Sequence, residues 1–218
     1  NISICLQSKG PDTILPLDGE PEIIPTYTLP DQNIEFKFKP AMFTQVNYEI
    51  NKQMINRVLA TLNLNKNDTV LDLFCGLGNF TLPLATQCHE VVGVEGSASL
   101  TERAEQAAVQ AGILNATFQT LNLFEVDQSW LQSLGPFDRM LIDPPREGAY
   151  ALVQALAAIP AQDRPVRIVY VSCNPATLAR DAGEMDKAGY DLVQAGVMDM
   201  FTHTTHVESI AVFEKRAN

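Results

Sequence analysis

Cys173 lies in the run Val169-Tyr170-Val171-Ser172-Cys173-Asn174-Pro175. There an apolar strand pattern stops and a proline marks the first turn of a helix. An ionised thiol is a strong nucleophile, and the positive end of a helix favours the thiolate. A buried structural cysteine is the ordinary alternative. Glu208 stands near the start of another alternating run, Val207-Glu208-Ser209-Ile210-Ala211-Val212-Phe213. Flanked by apolar residues, it is either a salt-bridge partner or a general base, and the pattern leaves both open. Asp143-Pro144-Pro145-Arg146 follows the apolar run ending at Ile142. Two prolines hold an extended turn. They leave Asp143 to clamp the amide-like edge of a planar base or to cap a helix. Enzymes that methylate an exocyclic amino group of a base use a related turn followed by an aromatic residue. Arg146 occupies that place here, so purine N-methylation is the lesser option.

A second group of residues could hold a cofactor. Val70 to Phe74 is apolar apart from Asp72 and ends at Cys75-Gly76-Leu77-Gly78-Asn79, after which a helical pattern begins. Gly76 and Gly78 allow a sharp turn and close approach of a ligand to the backbone. Cys75 within that turn reads as a packing residue. About twenty residues on, Glu95 ends a second apolar run, where an acidic side chain can hold a ribose hydroxyl pair. Phe80 and Thr81 stand in the region of the third glycine of a dinucleotide fingerprint. That absence argues against NAD or FAD and for a nucleoside without a pyrophosphate, S-adenosylmethionine being the commonest. Gln45, at a helix start ahead of this strand, is either a surface amide or a ligand contact.

These residues require a scaffold of alternating strands and helices. Strands are expected at 69–74, 90–95, 117–121, 138–142 and 166–171, and helices at 79–87, 98–111, 150–158 and 175–188. Repeated βα units imply a parallel sheet wound on both faces. Ile50, Met54, Val58 and Leu62 recur at helical spacing after a cap at Thr44 or Asn47. Two further strands, about 190–199 and 206–214, are joined by too short a connection to be parallel, so they pair antiparallel. The fold class is therefore α/β, a Rossmann-like seven-stranded sheet of the class I methyltransferase kind. Ligands of such sheets sit at the carboxyl ends of the strands. The turn after Asp72, together with Glu95, Asn122, Asp143 and Cys173, follows or ends five of those strands. Residues 1–40 differ: prolines interrupt them every few residues, while Ile2, Ile4, Leu6 and later Ile34, Phe36, Phe38 alternate. They read as a β-rich appendage of short half-buried strands, leaving 41–218 as the main domain.

Composition narrows the classes. Nearly half of the 218 residues are apolar, enough for a full core. No apolar run is long enough to cross a membrane, and no basic segment followed by an apolar stretch suggests a secretory leader. The chain opens on Asn1, which hints at a fragment or a processed chain. Its four cysteines show no metal-ligand spacing and only three histidines accompany them, so no metal is expected. A reduced, cytoplasmic setting is the simplest account. His203 and His206 in the run 200–208 read as the lip of the crevice. A net charge of −11 rules out nucleic-acid binding through bulk electrostatics. An RNA partner would need a local basic rim or another domain.

Five motifs together resemble the RNA uracil-5-methyltransferase family, in that family's order. They are Phe43-Thr44-Gln45-Val46-Asn47, Asp72 to Phe80, Asp143 to Arg146, Ser172 to Pro175 and His206-Val207-Glu208-Ser209. The likeness spans about 41–214 and is closest to the branch that methylates 23S ribosomal RNA. The resemblance implies that Gln45, Phe74, Gly76, Asn79, Glu95, Asn122 and Asp143 bind S-adenosylmethionine or face the base beside it. It also implies Cys173 as nucleophile and Glu208 as base. That branch normally carries an N-terminal RNA-binding barrel and a four-cysteine iron–sulfur site, and neither pattern stands in these residues. The chain is accordingly expected to be the C-terminal piece of a longer enzyme, with residues 1–40 the end of its central β domain. Transfer RNA as substrate, purine amino-methylation, and a non-catalytic cofactor- or RNA-binding module are the alternatives. No protein partner is implied.

Overall fold

A strand in the middle of a parallel sheet is covered on both faces, so both sets of its alternating side chains must be apolar. Val70, Leu71 and Leu73 are all fully buried, and Asp72 shares that burial. The computed structural model describes residues 4–10, 13–17 and 24–217. Ile2, Pro11 and Pro21, part of the N-terminal reading, lie outside those residues.

The chain begins with two small antiparallel pairs, β1 (Cys5–Gln7) with β2 (Ile14–Pro16) and β3 (Thr26–Leu29) with β4 (Ile34–Lys37). Helix α1 (Tyr48–Leu62) follows, capped by Asn47, whose Oδ1 accepts from the Ile50 N–H at 3.2 Å. Then come β5 (Thr69–Leu73), α2 (Thr81–Ala85), β6 (Glu90–Glu95), α3 (Ala98–Ala111) and β7 (Ala116–Thr120). The chain continues through α4 (Gln128–Ser133), β8 (Arg139–Ile142), α5 (Tyr150–Ala158), β9 (Arg167–Ser172) and α6 (Pro175–Lys187). It closes with β10 (Tyr190–Met198) and β11 (Glu208–Lys215).

The main sheet has seven strands in the order β10-β11-β9-β8-β5-β6-β7. From β5 the chain runs outward through β6 and β7, then returns to the other side of β5 with β8 and β9. Strands β5 and β8 are parallel neighbours, Leu73 opposite Ile142, so the order reverses between them. A crevice opens at such a switch point. β11 inserts between β9 and β10 and is antiparallel to both.

Two apolar layers flank the sheet. One packs Met54, Val58 and Leu62 of α1 with Val70, Leu82, Leu141 and Val169. The other packs Leu152 and Leu156 of α5 and Met185 of α6 with Leu71, Leu73, Ile142 and Tyr170. The β3–β4 hairpin buries Leu29, Ile34 and Phe36 in the first layer. Ile4 and Leu6 are instead exposed, because β1 and β2 pair only with each other and nothing among the described residues covers them. The expectation of half-buried strands there holds for 34–37 and fails for β1. Helix α2 is also shorter than expected, and α4 was not anticipated. Six residues are too few to show a helical period, although Asp127 caps α4 by accepting from the Trp130 N–H at 2.9 Å. No helix among the described residues is long and apolar enough to cross a membrane.

Gly93 on β6 shows how closely the sheet is packed beneath the glycine turn. A Cβ there would lie 2.9 Å from both Cys75 Sγ and the Phe118 ring. Gly93→Ala should therefore cost about 1–3 kcal/mol of stability through overpacking, read as a lowered urea midpoint.

Candidate active site

The carboxyl ends of β5, β6, β8 and β9 surround a cleft of about 630 Å³. Its floor is the glycine turn, where Phe74, Gly76 and Gly78 have φ of 64°, 55° and 84°. Only Phe74 carries a Cβ in that left-handed region, at a cost of order 1–3 kcal/mol. Its ring is held against Phe124, centroids 5.6 Å apart. Glu95 closes the turn from the neighbouring strand. Its Oε2 accepts from the Gly76 N–H at 3.2 Å and its Oε1 from the Ser97 N–H at 3.0 Å. Each carboxylate oxygen keeps a free lone pair for a ribose hydroxyl. Asn122 lies past the end of β7, where its Oδ1 accepts from the Phe124 N–H at 3.1 Å. Gln45, which the pattern left open, lines the cleft, and its buried Oε1 finds no partner among the described residues. A buried amide oxygen left unpaired is costly unless a ligand meets it.

The opposite wall carries a thiol and two carboxyls. β11 runs against β9 with Ser209 opposite Ser172. One further step of this register brings Glu208 opposite Cys173, and both line the cleft with Asp143. Cys173, Glu208 and all seven residues expected to bind the cofactor meet in one cavity. Arg146, Phe201 and His206 form its lip, the His206 ring edge-on to Phe201 with centroids 6.0 Å apart. The Arg146 Nη2 donates to His206 Nε2 at 2.7 Å.

Against this geometry, a sequence model described as tRNA (Uracil-5-)-methyltransferase matches residues 17–216. The chain belongs to that family. Among its relatives, the 23S rRNA (uracil(1939)-C(5))-methyltransferase RlmD of Bordetella avium is 59% identical over 220 residues, covering 100% of this chain and 46% of that protein. The RlmD of Ralstonia pickettii is 53% identical, covering 99% of this chain and 49% of the relative. The chain thus spans about half the length of the curated relatives it matches. A solved structure of Pyrococcus abyssi tRNA (uracil-54, C5)-methyltransferase with S-adenosyl-L-homocysteine is similar at TM-score 0.72 and 29% identity. That match covers 87% of this chain and 44% of the other. The M. jannaschii TYW2 structure, 20% identical at TM-score 0.64, covers 93% of this chain and 91% of its own and shares the fold.

In this family member, contacts that the sequence pattern did not reveal hold the wall carrying Cys173 together. Asn174 Nδ2 and Thr177 Oγ1 both donate to the Arg146 carbonyl, at 3.0 and 3.2 Å. Arg180 Nη2 donates to the Glu147 carbonyl at 2.9 Å. The Ala149 N–H donates to Asp181 Oδ2 at 2.7 Å, and the same oxygen accepts from the Tyr170 hydroxyl at 2.6 Å. Helix α6, with Cys173 just ahead of it, and the loop carrying Asp143 and Arg146 are therefore one rigid unit. No local pattern signals these bonds, because each joins residues from separate elements.

Electrostatics correct one expectation. Cys173 does not have the lowered pKa expected of a thiol at a helix start. Partial burial and then the Glu208 carboxylate push the thiol up, against a smaller opposing pull from Arg146. Burial also lifts three carboxyls: Asp143 to about 7, Glu208 to about 8 with help from Asp143, and Asp72 to about 8. The Thr81 hydroxyl, donating to Asp72 Oδ2 at 2.6 Å, pulls the other way, and Asp143 and Glu95 add to the rise. The unfolded chain loses these protons near pH 4. The folded chain thus binds more protons than the unfolded one between about pH 4 and 8, so its stability falls as pH rises through that window. The melting temperature of the ligand-free protein should be higher near pH 5.5 than near pH 8, and Asp72→Asn should flatten the slope.

Proposed function

We propose that this chain is the catalytic part of an S-adenosylmethionine-dependent RNA (uracil-C5)-methyltransferase acting on 23S ribosomal RNA in the cytoplasm. Residues 41–218 form the methyltransferase domain, and 1–40 the end of a preceding β domain of a longer protein. The observation that carries this reading is the meeting of Cys173 and Glu208 across one cleft. The RlmD relatives, far more similar than the transfer-RNA enzyme, favour ribosomal RNA as substrate.

The cleft fits the cofactor through its own unmet groups. Gln45 Oε1 is a buried acceptor without a partner among the described residues, and Glu95 has lone pairs free for a ribose. Asp143 and Glu208, which line the cleft and have raised pKa values, would be relieved by a cation. Bound S-adenosylmethionine supplies a positively charged sulfonium with a transferable methyl group. The protein's task is to make C5 of uracil nucleophilic and then to remove its hydrogen. Once ionised, Cys173 Sγ bonds to C6, and the ring electrons move through C5 toward O4, making C5 carbanion-like. Arg146 opposes the negative field of Glu208 at the thiol and so favours that ionisation. After C5 is methylated, the ionised Glu208 takes the C5 proton, and the electrons left behind re-form the C5–C6 double bond as the thiolate departs. Asp143, extended by its two prolines, faces the amide edge of the base. A base paired in a duplex cannot reach this cleft, so the target must be single-stranded or extruded. Arg146 and His206 give a strongly acidic chain a local polar lip for that strand.

In the full-length enzyme, Cys173→Ala should abolish 5-methyluridine formation while S-adenosylhomocysteine still binds. Glu208→Gln should accumulate a denaturation-resistant RNA–protein band, because the adduct forms but cannot lose its C5 proton. Retained turnover in the first variant would overturn the nucleophile, and no band in the second would overturn the base.

A further inference from the structure

Asn79 follows the glycine turn and lines the cleft, but its amide is already engaged from behind. Its Oδ1 accepts from the Tyr27 hydroxyl at 3.1 Å and from Asn51 Nδ2 at 2.9 Å. Its Nδ2 donates to Asn51 Oδ1 at 2.9 Å. An amide oxygen accepts two hydrogen bonds and an amide nitrogen donates two. Both places on the oxygen are taken, and one N–H has no partner among the described residues. Tyr27 comes from β3, in the proline-interrupted segment, and also lines the cleft. Asn51 comes from α1 and is almost fully buried. The hairpin cannot easily drift from this position. Tyr27 stacks on Phe36 with centroids 4.7 Å apart, and the Tyr48 hydroxyl of α1 donates to the Thr28 carbonyl at 2.9 Å.

We propose that Tyr27 and Asn51 are positioning residues that fix the Asn79 amide so that its free N–H meets an oxygen acceptor of the bound cofactor. The N-terminal hairpin is then a working wall of the cofactor site. This rests on the cofactor reading given above. Burial pushes the Tyr27 phenol up, so it remains a donor throughout the working pH range. Without that hydroxyl the Asn79 oxygen loses a partner and the amide is free to turn over, presenting an acceptor where a donor is needed. The oxygen met by the N–H belongs either to the amino-acid carboxylate of the cofactor or to its ribose.

The test is a double-mutant cycle read by calorimetry with S-adenosylhomocysteine on the full-length protein. Tyr27→Phe should weaken binding about 3- to 10-fold, the loss of one net hydrogen bond. Asn79→Ala should weaken it at least as much, and the double variant should bind no worse than Asn79→Ala alone. Asn51→Ala is a second entry to the same cycle if Tyr27→Phe folds poorly. 5′-Methylthioadenosine lacks the amino-acid tail. If the N–H meets the carboxylate, Tyr27→Phe leaves its affinity unchanged, and if it meets the ribose both ligands weaken alike. Additive losses, or a Tyr27→Phe variant with a lower melting temperature and unaltered affinity, would overturn the proposal. Failure of the wild-type protein to bind S-adenosylhomocysteine would instead overturn the cofactor reading.

Discussion

The direction of one strand governs the wall that holds Cys173 and Glu208. In a wholly parallel sheet every strand delivers its last residue to the ligand edge and its first residue to the far edge. β11 is reversed between β9 and β10, so its first residue, Glu208, arrives where the others end. The Ser209–Ser172 register then sets a carboxyl opposite a thiol from a strand tip. A slip of one residue would turn every side chain of β11 to the other face, exchanging the Ile210 and Val212 layer for the Ala211 and Phe213 layer. The core thus holds the alignment of the two groups, since neither can move along its strand without unpacking both apolar layers.

Charge follows from the same geometry. Strand ends that converge bring their polar residues together away from water. Asp72, Asp143 and Glu208 consequently share a region where burial disfavours ionisation of each. A positively charged ligand would reverse that balance. The raised thiol of Cys173 belongs to this picture: partial burial and a facing carboxylate outweigh the pull of Arg146.

Rigidity around the cleft comes from hydrogen bonds between elements. Asp181, Thr177 and Asn174 of the α6 region grip the backbone of the loop after β8. On the cofactor side, Asn51 of α1 and Tyr27 of the hairpin grip Asn79. Each grip uses side chains with several donor or acceptor positions, so one residue can hold two partners in fixed relation. Both halves of the cleft are preorganised in this way, which suits transfer of a group between two bound molecules.

Much of this was legible in the chain. Strand and helix periods, the Gly76–Gly78 turn, Glu95 ending the next strand and the Asp143 and Cys173 motifs follow from short-range pattern. Local sterics and the burial of both strand faces write these directly into neighbouring residues. The position of α4, the exposure of Ile4 and Leu6, and the roles open to Gln45 were not legible, because they depend on what packs against them. Tyr27, Asn51 and Asp181 were missed for the same reason, each being defined by a partner from another element. The sequence by itself determined an α/β sheet with a nucleoside-type turn, a strand-tip thiol and a second carboxylate farther along the chain. Only the tertiary structure decided that these face one another, that the thiol is raised rather than lowered, and that the N-terminal hairpin reaches the cleft. Distance across a fold is set by strand order and register, which no local spacing encodes.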